Sequence, residues 1–206
     1  MDGLTKQARA VLKRLTTPAK IQDFLDSLPM NHEERGETHR SVREALRVGK
    51  AHCIEGALIA AAALELHGEK PLLMDLVADK SHYDDDDHVV ALYKRNGYWG
   101  AISKTNHATI RFRDPVYKTL RELALSYFHE WFMNANGVKT LKSYSRPLNL
   151  RRFGDDWLTS PKDLWYLDKA LNALPHYQLL PPKNKKFIRR ADAMELKAGR
   201  LEEWPE

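Results

Sequence analysis

Cys53 and His88 are the side chains of this sequence best suited to covalent chemistry. Cys53 is the only cysteine among the 206 residues, and it opens the run CIEGALIAAAALELHG. That run predicts a helix from His52 to Leu66, closed by Gly68. A thiol in the first turn of a helix meets unsatisfied N–H groups and the positive end of the macrodipole, and both favour the thiolate. The competing reading is a small apolar core residue, because lone cysteines are among the most buried residue types. His52 is adjacent, but neighbouring helical residues point about 100° apart, so it is expected to act as a cap or loop residue rather than as a base. His88 heads HVVALY, at a strand start where a purely structural strand favours a β-branched or aromatic residue. A cysteine and a histidine distant in sequence but close in space are the usual pair for thiol acyl transfer.

Together these residues resemble the transglutaminase-like superfamily, in a bacterial-type stand-alone form. In that family a cysteine opens a helix of small residues, followed by leucine and glycine. A histidine then starts a strand, and after a tight hairpin come a tryptophan and an aspartate. Here Cys53 heads the helix, His88 heads HVVALY, and Trp99 follows the turn in GYWGAIS, so the resemblance covers about residues 45–115. It implies an α+β fold with a transglutaminase-like or papain-like core, a Cys-bearing helix packed on an antiparallel sheet. It also implies thiol-dependent acyl transfer on a peptide or protein amide, as a peptidase, an amidase or a transglutaminase-type enzyme. Cys53 would attack the carbonyl, His88 would hold and then deliver the proton, and the backbone N–H of Cys53 would help bind the oxyanion. The alternative is a non-catalytic binding or scaffold module that keeps the fold without the acidic third residue.

That third residue is the point of departure, because Ser103 stands where the family places its aspartate. With Asn96-Gly97 as a two-residue turn, Arg95 faces Tyr98, Val90 faces Ser103 and His88 faces Thr105. Ser103 then lies diagonal to His88 and Thr105 directly opposite, both within reach. A hydroxyl accepts from a ring N–H but brings no negative charge to an imidazolium. Asn106 would serve if a bulge at Lys104 turned it inward, and Asp114 is a more distant option. Ser103 and Asn106 are therefore the candidate orienting residues, beside Cys53 and His88.

The elements that must carry these residues are legible in outline. Thr17-Pro18 opens a helix with Ile21, Phe24, Leu25 and Leu28 at helical spacing, stopped by Pro29. Residues 30–50 read as a long polar connection around the short helical piece VREAL, placed to shape access to the site. Strands are expected at LLMDLVA, HVVALYKR, YWGAISK and ATIRF. Asp114-Pro115 is expected to start an amphipathic helix from about Val116 to Met133. The aromatic residues of 127–131 and 157–166 fall at helical spacing and read as core. Ser160-Pro161 opens a further helix, and a last helical stretch follows the basic run KNKKFIRR. The expected organisation is one domain over 1–206: a core of about 45–133, an N-terminal helical segment 1–44 and a C-terminal helical extension 134–206.

Composition narrows the classes further. Hydrophobic residues make up 43% and charged residues 30%, the balance of a globular chain able to build its own core. A single cysteine excludes an internal disulfide and a multi-cysteine zinc site. The start, MDGLTKQARAVLKRL, is too charged for a signal peptide, and no apolar run reaches about 18 residues, so a cytoplasmic protein with no membrane partner is expected. The run Asp84–Asp87 beside His82 and His88 lacks the glycine and distal glutamate of a calcium loop and reads as a solvated acidic loop, so neither a metal nor a cofactor is expected. The net charge of +5 is mild, and KNKKFIRR comes with no nucleic-acid motif, so nucleic acid is not the expected partner.

Overall fold

The computed structural model describes residues 3–34, 36–81 and 83–204, which leaves His82 outside the described residues. Four helices come first: α1 (Lys6–Arg14), α2 (Pro18–Ser27), α3 (Val42–Val48) and α4 (Cys53–Leu66). Four strands follow, β1 (Leu72–Ala78), β2 (His88–Arg95), β3 (Tyr98–Ile102) and β4 (Arg113–Tyr117), and then α5 (Leu120–Phe128). The remainder alternates: β5 (Leu141–Ser145), β6 (Leu148–Asn149), α6 (Asp156–Thr159), α7 (Trp165–Asn172), β7 (His176–Gln178) and α8 (Ala193–Gly199). The strands form one seven-stranded sheet in the order β4-β3-β2-β1-β5-β7, with β6 also on β1. Every pairing is antiparallel, so the fold is α+β with helices packed on an antiparallel sheet.

Burial explains the sequence patterns at the centre. In α4 every residue from Ile54 to Leu64 is buried, which is why this helix has no polar face. It lies on β2 and β1 with α1, α2 and α3 alongside. Leu73, Val89 and Ala91 face α4, whereas Met74, Leu76, Val90 and Leu92 pack with Leu123, Ala124, Tyr127 and Phe128 of α5. With both faces covered, β1 and β2 read as continuous apolar runs rather than alternating ones. At the hairpin, Asn96 (φ 50°) and Gly97 (φ 88°) both adopt left-handed backbone, as a two-residue turn of this kind requires. The register runs from Arg95 opposite Tyr98 to Ala91 opposite Ile102, as the turn predicts.

Three expectations change. ATIRF is not a strand; the strand is Arg113–Tyr117, and it includes Pro115. Proline is tolerated there because β4 is the sheet edge, where an absent N–H costs no ladder bond. The helix after it begins only at Leu120, capped by Thr119, whose hydroxyl accepts from Glu122 N, while the Glu122 carboxylate accepts from Thr119 N. Finally, the region 134–206 is not purely helical, since β5, β6 and β7 come from it. β5 and β6 pair with the side of β1 that β2 leaves open, and these short segments carry no helical or strand period long enough to read. Within the expected N-terminal helical segment, α1 is a separate helix ahead of the one that Thr17-Pro18 opens; Thr5 caps it by accepting from Ala8 N, and it buries Ala8 and Leu12.

Gly56 lets α4 approach the end of β3. A Cβ at this position would lie 2.3 Å from Cβ of Lys104, a group too near the backbone to swing aside. Gly56→Ala should therefore lower stability by about 1–3 kcal/mol, the usual cost of overpacking. Urea unfolding checks this: the midpoint should fall with the slope unchanged, and an unchanged midpoint would show that the two segments have room to spare.

Candidate active site

Cys53 is the first residue of α4, and its side chain is half-buried at the edge of a cleft. The residue before it, His52, is the helix cap and has extended backbone (φ −100°, ψ −170°). The angular argument for consecutive helical residues therefore does not apply, and His52 Nδ1 lies 4.0 Å from the Cys53 sulfur. His52 is thus the cap residue expected, yet from that position its ring also comes within reach of the sulfur. Its Nε2 sits 2.6 Å from the Thr38 carbonyl, which can only accept, so Nε2 carries a proton. Burial alone would lower the His52 pKa, but the Cys53 sulfur first, then Glu55 and Glu33, push it up to about 9.

His88 begins β2 and lines the same cleft as Cys53. Burial would raise the Cys53 thiol; hydrogen bonds with His52 and His88, and the charges of both rings, outweigh it and hold the thiol well below its usual value. Nε2 of His88 lies 2.7 Å from Oγ of Ser103. The Ser103 hydroxyl donates its proton to the Ile110 carbonyl at 2.9 Å, so its lone pair accepts from His88 Nε2–H. That leaves Nδ1 of His88 for the thiol. The ring also stands edge-on to Trp131, with centroids 6.1 Å apart.

Ser103 is itself fixed on both sides. The buried amide of Gln22 in α2 accepts from Ser103 N at 3.0 Å and donates to Ser103 O at 2.7 Å. Ile110, which supplies the carbonyl for the hydroxyl, has φ 55°. For a β-branched residue this is strained backbone, at a cost of about 1–3 kcal/mol. It is held there by Ser103 on its carbonyl and by Glu130, which accepts from Ile110 N at 3.2 Å.

Asn106 and Thr105 line the same cleft, but their side chains are engaged by other partners. Asn106 is paired with the C-terminal segment: it donates to Trp204 O and accepts from Trp204 N, both at 2.8 Å. Thr105 Oγ1 accepts from His107 N at 3.2 Å. Asp114 is exposed on β4. Of the acidic run, Asp84 and Asp86 are exposed as a solvated loop would be. Asp85, however, accepts from Trp131 Nε1 and Thr140 Oγ1, and Asp87 accepts from Ala78 N at 2.9 Å and pairs with Lys80 at 3.1 Å. Those two are anchors of the loop. Among the described residues no group of three or more histidines, cysteines or acids could hold a metal ion.

Glu55 is the residue that sequence reasoning missed. It has no solvent exposure, yet it accepts from Asn31 Nδ2, Thr38 Oγ1, Arg40 N, Arg40 Nη1 and His52 N, at 3.1–3.3 Å. The polar connection 30–50 is thereby fastened to the first turn of α4. A charged residue in an otherwise apolar helix, three positions past a cap, was the available signal. The connection does border the site: Asn31, Glu33, Glu37 and His39 line the cleft of about 660 Å³ that also exposes Cys53, His52 and His88. Trp131, although core, and the exposed Trp165 line it too, so of the aromatic side chains read as core Trp165 is the exception.

No family model and no curated protein matches this chain. Among the described residues no helix is long and apolar enough to cross a membrane.

The electrostatics of the thiol set its reactivity. An ordinary thiol in slightly acidic buffer is almost wholly protonated and gains about tenfold in alkylation rate per pH unit. Cys53 should instead react readily with iodoacetamide there, with a shallow pH dependence. His52→Gln and His88→Gln should each move the profile toward higher pH. An ordinary profile in the wild-type protein would contradict the ion-pair geometry.

Proposed function

We propose that this protein carries out thiol-dependent acyl transfer on an amide, with peptidase, amidase or transglutaminase-type chemistry, on a transglutaminase-like core. The observation that carries the reading is the Cys53 sulfur at a helix N-terminus, 4.0 Å from His52 Nδ1, in a cleft shared with His88, whose ring is oriented by a fixed hydroxyl.

The two rings have different roles. With a pKa of about 9, His52 keeps its proton at neutral pH and acts as a standing counter-ion to the thiolate. A proton shuttle must release its proton during turnover, so that role falls to His88. The Cys53 thiolate attacks the amide carbonyl, forming a C–S bond, and the resulting oxyanion is met by the backbone N–H of Cys53. As the tetrahedral species collapses, the C–N bond breaks and His88 gives its proton to the departing amine. Water or a second amine then attacks the thioester, His88 takes the proton, and the thiolate leaves. Ser103 keeps the His88 ring in the orientation that both steps need.

Because the orienting group is a hydroxyl and not a carboxylate, a binding module on the same fold is the second reading. An ester substrate separates them. With p-nitrophenyl acetate the enzyme should show a burst and an acetyl group on the Cys53 peptide. Cys53→Ser should abolish it, and His88→Gln should slow it by about 10²–10⁴-fold, the usual contribution of a positioned acid–base group. Acetylation confined to lysines, or unchanged in Cys53→Ser, would leave the binding module.

A further inference from the structure

Asp75 stands outside the proposed chemistry but close to it. It lies on β1, is 3% exposed, and lines the same cleft as Cys53. One carboxylate oxygen, Oδ2, is 3.7 Å from His176 Nε2; the other, Oδ1, is buried with no hydrogen-bond partner among the described residues. A buried carboxylate oxygen without a donor is costly and rare, and it asks for one from the cleft side.

The cleft around it is acidic, although the chain carries a net charge of +5. Asp168, Glu37 and Asp86 line the cleft together with Asp75. The two lysines of the lining are committed, Lys80 to Asp87 at 3.1 Å and Lys104 to the Leu28 carbonyl. Burial, and then Asp87, Cys53 and Asp168, push the Asp75 carboxyl up to about 7, against a smaller opposing effect of Lys80. The negative charges facing Asp75 thus crowd one another. A cation placed among them relieves that crowding, whereas an anion adds to it. Trp131 and Trp165, which also line the cleft, supply apolar and π surface for the methylene stem of a long basic side chain.

We infer that the cleft takes a basic residue of the amide substrate, with its ammonium or guanidinium group against Asp75 and Asp168. The inference rests on the acyl-transfer reading for what is done to that substrate, but not for the binding itself. Asp75 and Asp168 are then the residues that set specificity for charge.

The test uses the full chain carrying Cys53→Ala, which binds without turnover. It is titrated with the peptide amide acetyl-Ala-Lys-Ala and with the same peptide acetylated on the lysine, and backbone amide NMR shifts are followed. The lysine peptide should bind about tenfold more tightly, equivalent to about 1.4 kcal/mol. The advantage should shrink toward unity in Asp75→Asn, in Asp168→Asn and at high salt. Equal affinity for the two peptides, no binding of either, or an advantage untouched by both substitutions overturns the inference. An inert thiol in the wild-type protein overturns the acyl-transfer reading and leaves this result standing.

Discussion

A carboxylate with no access to solvent organises this site. Glu55 accepts hydrogen bonds from Asn31, Thr38, Arg40 and His52, and pairs with the Arg40 guanidinium at 3.3 Å. A charge so deeply buried is tolerated only when partners surround it, and removing a partner typically costs about 3–5 kcal/mol. The consequence is geometric. With Thr38 fixed, its carbonyl holds Nε2 of His52 at 2.6 Å, and the ring is turned so that Nδ1 faces the Cys53 sulfur. Asn31, Thr38 and Arg40 of the polar loop are thus tied to the same helical turn that presents the thiol, and residues of that loop form one wall of the cleft.

The opposite wall is built by a different device. β2 and β3 bring His88 and Ser103 together through hairpin register, and α2 reaches across with Gln22 to hold the Ser103 backbone. The strained carbonyl of Ile110 fixes the direction of the hydroxyl. Ser103 brings no charge to His88, but Glu33 and Glu55 bring theirs to His52. In the proposed chemistry, negative charge therefore supports the cation that stabilises the thiolate, while orientation alone is asked of the group behind the proton shuttle. The two tasks that a single carboxylate combines elsewhere are divided between two histidines.

The parts of this arrangement that depend on local rules were legible in the sequence. The helix beginning at Cys53, the Asn96-Gly97 turn, and the diagonal of His88 and Ser103 follow from capping, turn type and strand period. What stayed hidden depends on contacts between distant segments. His52 is a cap, as its position suggests, but the reach of its ring toward the sulfur follows from extended backbone, which helical geometry does not describe. Asn106 was matched to His88 by sequence position, but the chain end 98 residues away competes for it. Glu55 and Asp75 look like ordinary acids in a helix and a strand until burial and partners are known. The edge strand containing Pro115 carries a proline that local reading assigns to a helix start.

The central claim is that Cys53 exists as a thiolate held between His52 and His88. With one cysteine in the chain, the ultraviolet absorbance of thiolate reports on that residue alone. A difference spectrum against Cys53→Ser, followed across pH, should show the thiolate band already present at neutral pH, and His52→Gln should push its appearance to higher pH. A band that appears only in the range of an ordinary thiol, at the same pH with or without His52, would contradict the account.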